Sequence, residues 1–264
     1  MAGAAGAAAG RRARGAGPAR RAAGAAAGAA GVGAAAGAGG PPQALGALLG
    51  ARRACNRFRA GAPPVPEADL EAIVRDASLA PSSFNLQHAR YVLVTSEEVK
   101  AALCEAAYGQ PQVASCGVLV VVVADTRAHE DAAARLAADG ASPERTASVL
   151  EMVEGNYGGE GNPAARDEAF RSCGLAAMAL MLSAQARGFH TGPMSGFDAA
   201  AAGAAVGLGP GEEAFMLIAL GWPAGGEPGD GQDGGPTHPR PRPARLPPSE
   251  LAHFDSRSGR GLGA

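Results

Sequence analysis

The sequence predicts an α+β protein, and three observations carry that prediction. Residues 117–125, GVLVVVVAD, are continuously apolar and β-branched, the pattern of a strand buried on both faces. Residues 164–188, AARDEAFRSCGLAAMALMLSAQARG, read as the longest helix; from Leu175 to Leu182 it is apolar nearly all round, which makes it the core helix. The other strands and helices follow without βαβ regularity, so an α+β arrangement is favoured over a doubly wound parallel sheet.

Taken in order, residues 1–42 are low-complexity Ala, Gly and Arg. Glycine recurs too often for a stable helix and too little is large and apolar to build a core, so a disordered leader is expected, followed by a folded body over 43–264. Leu45, Leu48 and Leu49 space a short helix over 43–54. Residues 66–80 make a stronger helix: Pro66 starts it, Glu67 and Asp69 fall in the first turn, and Leu70, Ile73, Val74 and Ala77 share a face. A strand over 90–95 follows. Ser96 then caps a helix over 96–107. Beyond the central strand, helices are expected over 128–138 and 143–154, then a Gly-rich loop. Gly188 stops the core helix, a short helix covers 199–207, and residues 213–223 form a third strand ending at Pro223. Residues 224–244 are too rich in Gly and Pro to be regular. No internal repeat is present.

The formal charge of −2 hides an asymmetry. The first 48 residues hold five arginines and no acid, leaving 18 basic against 25 acidic residues in the body, net −7. Such a body lacks the basic face that general nucleic-acid binding requires. No apolar run approaches a membrane span of about 20 residues. The four cysteines lie far apart with no CxxC pair, which argues for free thiols in a reducing compartment and against a metal site. The Arg-rich, acid-free leader fits an organelle targeting peptide, chloroplast or mitochondrion, although it contains no Ser or Thr; without a targeting role the protein is expected in the cytoplasm. The Gly-rich stretch 31–40 is no dinucleotide loop, because no strand precedes it and no helix directly follows.

One cluster of polar residues stands apart. Pro81, Ser82, Ser83, Asn85 and Gln87 crowd hydroxyl and amide groups at the mouth of the first strand. Together with RRACNRF (52–58), GQPQVASCGVLVVV (109–122), GPMSGFD (192–198), IALGWPA (218–224) and ARLPPSELAHFD (244–255), this segment resembles, in order and spacing, the nitroreductase family of FMN-dependent oxidoreductases. The resemblance spans roughly residues 44–255. It implies an α+β sandwich, a mixed and mainly antiparallel sheet flanked by helices. It also implies an intertwined homodimer with two FMN sites at the subunit interface.

The resemblance further implies a set of cofactor-binding residues. Arg52, Arg53 and Arg245 would clamp the FMN phosphate, since guanidiniums pair with phosphate oxygens through parallel hydrogen bonds. Ala54 stands where the family commonly has Ser, and Asn56 where it commonly has a basic residue; Asn56 still donates to the pyrimidine edge but brings no charge. Pro81, Ser82, Ser83 and Asn85 would form the turn that wraps the flavin, with Gln87 fixing the turn itself. His88 and Ala89 replace a Pro-Trp pair. Gln112 falls on the pyrimidine side. Pro193, Met194, Ser195 and Gly196 would line the ring, with the Ser195 and Gly196 amides donating to N5 and O4; Ser195 stands where a Glu is frequent. No side chain is expected to act as a nucleophile, because the chemistry belongs to flavin N5. The implied activity is hydride transfer from NADH or NADPH to FMN and then to nitroaromatics, quinones or other small electron-poor acceptors, in ping-pong turnover. A reductive dehalogenase or flavin-degrading relative, with residues 126–164 as a lid, is one alternative. A non-catalytic FMN-binding protein is the other.

Overall fold

The computed structural model describes residues 41–159, 161–224 and 242–263. Four strands make one sheet: β1 (Ala89–Val94), β2 (Val118–Asp125), β3 (His190–Met194) and β4 (Glu212–Gly221), in the order β1-β2-β4-β3 with every pair antiparallel. Helices α1 (Pro41–Ala51), α2 (Glu67–Ala77), α3 (Glu97–Ala106), α4 (Pro111–Ser115), α5 (Ala132–Ala138), α6 (Pro143–Tyr157), α7 (Pro163–Ala186), α8 (Ala199–Ala205) and α9 (Pro248–Leu251) surround it.

The apolar run at 117–125 explains the layers. β2 lies inside the sheet and its side chains alternate between two cores. Leu119, Val121 and Val123 pack with Leu103, Val113, Ala202 and Leu217 under α3, α4 and α8. Val118, Val120, Val122 and Ala124 pack with Ile73, Ala77, Cys173, Leu180 and Ile218 under α2 and α7. A register shift between Val122 and Val123 lets β4 keep Ala214 and Leu217 on the first face. The two-sided burial predicted for this strand is therefore what is found, and the fold is α+β with a wholly antiparallel sheet.

The helices fall close to their predicted places, with Gly188 at φ +84° just past α7. Ser96 and Ser142 each accept a backbone N–H at the start of α3 and α6. The only lysine of the chain, Lys100, is buried and donates to the Cys116 carbonyl (3.0 Å) and Glu97 (3.1 Å), tying α3 to the end of α4. The stretch 126–157 forms a 3-10 turn (Ala128–Asp131) and helices α5 and α6, whose Ala128, Ala132 and Val153 make a small separate core with Leu86.

Four elements differ from the sequence reading, among them the short helices α4 and α9, which it did not single out. The sequence reading assigns no strand to β3, whose Gly192 and Pro193 are poor strand formers. The strand forms at the sheet edge, where Pro is tolerated, and Gly192 is required there: a Cβ would lie 2.1 Å from the Cys55 carbonyl oxygen. The first helix begins at Pro41, inside the stretch assigned to the leader and directly after the Gly-rich residues 31–40, so a helix follows that stretch where none was expected. The rest of that leader and residues 225–241, within the segment expected to be irregular, lie outside the described residues.

Candidate functional site

Residues 52–56 leave the end of α1 and run beside β3. The Arg52 amide donates to the Leu48 carbonyl (2.9 Å), closing the helix, and the Cys55 amide donates to the Thr191 carbonyl (2.9 Å). Ala54 bridges Thr191 in parallel. Arg52 and Arg53 are thereby seated next to the strand that delivers Pro193 and Met194, with Ser195 and Gly196 exposed just beyond it.

The C-terminal segment joins the same place. One terminal nitrogen of Arg242 donates to three carbonyls, those of Leu49 (2.7 Å), Gly50 (3.1 Å) and Arg52 (2.8 Å). Arg53 donates to the carbonyls of Gly50 and, at 3.2 Å, Arg52. Desolvation lowers the Arg52 pKa, and the charges of Arg245 and Arg53 lower it further. Arg242 is shifted down likewise, by desolvation and then by Arg53, Arg245 and Arg52. Four guanidiniums thus repel one another here, and among the described residues none of them is paired with a carboxylate. Arg52 Nη1 is buried without a hydrogen-bond partner. A buried donor left so is costly unless an acceptor arrives. A dianionic phosphate supplies that acceptor together with the opposite charge. The residues present therefore fit the phosphate end of FMN.

A second set of bonds links Gln112 to the 193–196 turn. Gln112 donates to Gln110 Oε1 (2.9 Å), and Gln110 donates to the Gly196 carbonyl (2.9 Å). The Asp198 amide donates to the Ala106 carbonyl (2.8 Å), and its carboxylate caps α8 by accepting from the Ala201 amide (2.9 Å). Gln112 and the 193–196 turn are thus held together, and Asp198 has a structural role. Neither Gln110 nor Arg242 was singled out in the sequence. Gln110 had a usable signal as the residue before Pro111, a helix-starting pair; Arg242 had only its nearness to Arg245.

The Ser-rich turn is elsewhere. It enters β1, whereas the arginines and the 193–196 turn belong to β3, and these are opposite edges of the sheet. Three strand intervals separate them, about 14 Å at ordinary spacing. Within one chain Pro81, Ser82, Ser83 and Asn85 are therefore not brought together with Arg52, Arg53, Ala54, Asn56, Gln112, Pro193, Met194, Ser195, Gly196 and Arg245. The turn is also internally built. Phe84, Asn85 and Gln87 all adopt left-handed φ (49°, 55° and 51°). The Gln87 amide donates to Ser82 Oγ (2.8 Å), so Gln87 fixes the turn through its backbone. Ser83 Oγ shares a 2.8 Å hydrogen bond with the Tyr157 hydroxyl at the end of α6, a partner the sequence reading missed, and Phe84 meets the same ring edge-on. Behind the turn His88 is buried with Nδ1 unpartnered, and burial pushes its pKa down.

All four thiols are free. Burial raises the pKa of Cys55, that of Cys116 to about 11 and that of Cys173 to about 12, so these three remain protonated at neutral pH and supply no thiolate nucleophile. Among the described residues no group of His, Cys, Asp and Glu is arranged to hold a metal, and no helix is long and apolar enough to cross a membrane.

A helix-flanked antiparallel sheet that carries an arginine cluster beside a Pro-Met-Ser-Gly turn defines the class. The family model described as "Nitroreductase family" matches residues 49–222, and the chain belongs to that family. Among its relatives, a Bacillus subtilis protein provisionally named NAD(P)H nitroreductase MhqN is 35% identical over 183 residues, 66% of this chain and 86% of its own. A Thermus thermophilus protein named NADH dehydrogenase is 35% identical over 194 residues, 72% of this chain and 88% of its own. Among solved structures, the provisionally named nitroreductase ydfN of Bacillus subtilis superposes with a TM-score of 0.71 at 31% identity, covering 81% of this chain and 99% of that one. A provisionally named nitroreductase from Exiguobacterium sibiricum, solved in complex with FMN, gives 0.64 at 25% identity, covering 78% of this chain and 95% of that one.

Proposed function

We propose that this protein is an FMN-dependent oxidoreductase that takes electrons from NADH or NADPH and passes them to nitroaromatics, quinones or similar small electron-poor acceptors. The observation that carries the reading is the arginine cluster at the β3 edge, with the buried and unpaired Arg52 Nη1 at its centre. Bound FMN supplies the hydride-accepting and hydride-donating centre, so the protein needs no nucleophile of its own. Arg52 and Arg245 hold the phosphate. Asn56 and Gln112 donate to the pyrimidine edge, and the Ser195 and Gly196 amides face the ring. The protein's share of catalysis is orientation and exclusion of water.

The working unit is a homodimer. The Ser-rich turn of one chain completes the site of the other, since the two half-sites lie on opposite sheet edges of a single chain. Leu175 on α7 supports this: it lies in the most apolar part of the longest helix and yet is 52% exposed in one chain. A helix apolar all round is normally buried all round, and a second copy provides the missing cover. We propose as well that residues 1–42 direct the chain to an organelle, which a fluorescent fusion with and without them tests.

The deciding experiment is to load the protein with FMN and follow NADH and NADPH oxidation with a quinone, a nitroaromatic and an enone. Sustained turnover with one of them is the expected result. A protein that binds flavin but never turns over is a binding protein instead, and colourless material after FMN addition removes the flavin reading altogether. Equilibrium sedimentation should give twice the chain mass.

A further inference from the structure

The arginine cluster sits at the wrong end of a helix for an anion. Anions favour helix N-termini, where N–H groups and the positive end of the macrodipole point at them. Here the cluster surrounds the C-terminal end of α1, an 11-residue helix whose final carbonyls point at the same space. Those carbonyls, with the negative end of the dipole, repel a phosphate.

Within this cofactor reading, we propose that the four arginines divide into two pairs with different work. Arg53 and Arg242 shield the carbonyl end of α1. Arg52 and Arg245 contact the phosphate.

The hydrogen bonds make the division. Arg242 spends one nitrogen on the carbonyls of Leu49, Gly50 and Arg52, and Arg53 spends one on Gly50 and Arg52. Together they cover the helix end and place positive charge on it, the favourable sign there. Arg52 keeps Nη1 buried and without a partner. Arg245 is exposed, and its side chain makes only a long 3.5 Å contact to the adjacent Ala244 carbonyl. Among the described residues, neither of these two side chains donates to the α1 carbonyls that Arg53 and Arg242 cover. Arg242 also holds the Arg52 carbonyl, so it fixes the backbone from which the half-buried Arg52 side chain projects. It is a positioning residue: it acts on the phosphate through the helix end and through Arg52.

The test compares FMN with riboflavin, which lacks the phosphate, by fluorescence titration of the full chain. The ratio of the two affinities isolates the phosphate, and retained riboflavin binding shows that a variant is folded. Backbone amide exchange over residues 48–53, measured without flavin, reports the helix end. R52Q and R245Q should each cut the ratio about tenfold or more and leave exchange unchanged. R242Q and R53Q should each cut it about three- to tenfold and accelerate exchange. An R242Q protein with an unchanged ratio overturns the proposal, and so does R245Q if it accelerates exchange as R242Q does. Wild-type protein that binds FMN no better than riboflavin refutes the phosphate site itself, a failure distinct from the other two.

Discussion

The two half-sites solve opposite problems. At the β3 edge, four arginines lie close together, desolvation and neighbouring guanidiniums lower the pKa of Arg52 and Arg242, and a buried donor is left unpaired. At the β1 edge, the Ser-rich turn has already used its hydroxyls, Ser82 on the Gln87 amide and Ser83 on Tyr157. Under the proposed function, the phosphate of FMN completes the first region. The second is a finished wall whose left-handed residues are held by the small core of Leu86, Ala128, Ala132 and Val153. One provides affinity by charge and the other provides shape. In the proposed homodimer, a site built from both would separate binding energy from preorganisation.

The largest effect that breaks this comparison lies at Gly192. Gly192→Val puts a side chain where the Cys55 carbonyl would lie 2.1 Å from its Cβ, and the obstacle is backbone that cannot rotate away. The strap bearing Arg52 must leave β3. The expected loss is about 3 kcal/mol or more of stability, with FMN binding lost as well, read by thermal melts and flavin titration. An intact melting temperature would mean that the strap is not seated on β3. Next, Arg52→Ala should weaken FMN binding by roughly 1.5–3 kcal/mol, the range of a charge-assisted hydrogen bond; unchanged fluorescence titration would remove Arg52 from the site.

A smaller effect sharpens the contrast from the other side. Ser83→Ala strands the Tyr157 hydroxyl and should cost about 1 kcal/mol of stability while the FMN-to-riboflavin affinity ratio stays as in wild type. A reduced ratio would place the Ser83 hydroxyl on the phosphate end of the cofactor. The smallest effect is in pH. Burial holds His88 and His190 below their usual pKa of 6.5 in the folded chain. The unfolded chain therefore takes up protons first as pH falls, so stability present above about 6.5 is lost as pH drops toward the folded values. His88→Gln should flatten the acid limb of the melting temperature, and a limb as steep as in wild type would acquit His88.

Much of this was legible from residue order. The run at 118–124 could only be a strand covered on both sides, because nothing in it tolerates water. The apolar sweep of 175–182 could only be a helix with neighbours, and Ser96 and Gly188 marked ends by their own local chemistry. The family segments also pointed to Arg52, Arg53 and the 193–196 turn, which the fold sets side by side at the β3 edge. The segment 190–194 was opaque, because Gly192 and Pro193 have little strand propensity of their own and the strand is supported by pairing with β4 and by the Cys55 backbone. Arg242 was opaque too, since 190 residues separate it from the carbonyl of Arg52 and no spacing encodes that meeting.

The sequence by itself determined most of the helix and strand segments, which of their faces are buried and, through its family segments, the class of protein to which the chain belongs. Only the tertiary structure decided that the strand order sets the Ser-rich turn on one edge and the arginines on the other, and that two arginines are committed to a helix end. The reason is physical: local pattern reports each residue's neighbours along the chain and its need for burial. Strand order and the capping of α1 are settled by contacts between segments that no period connects.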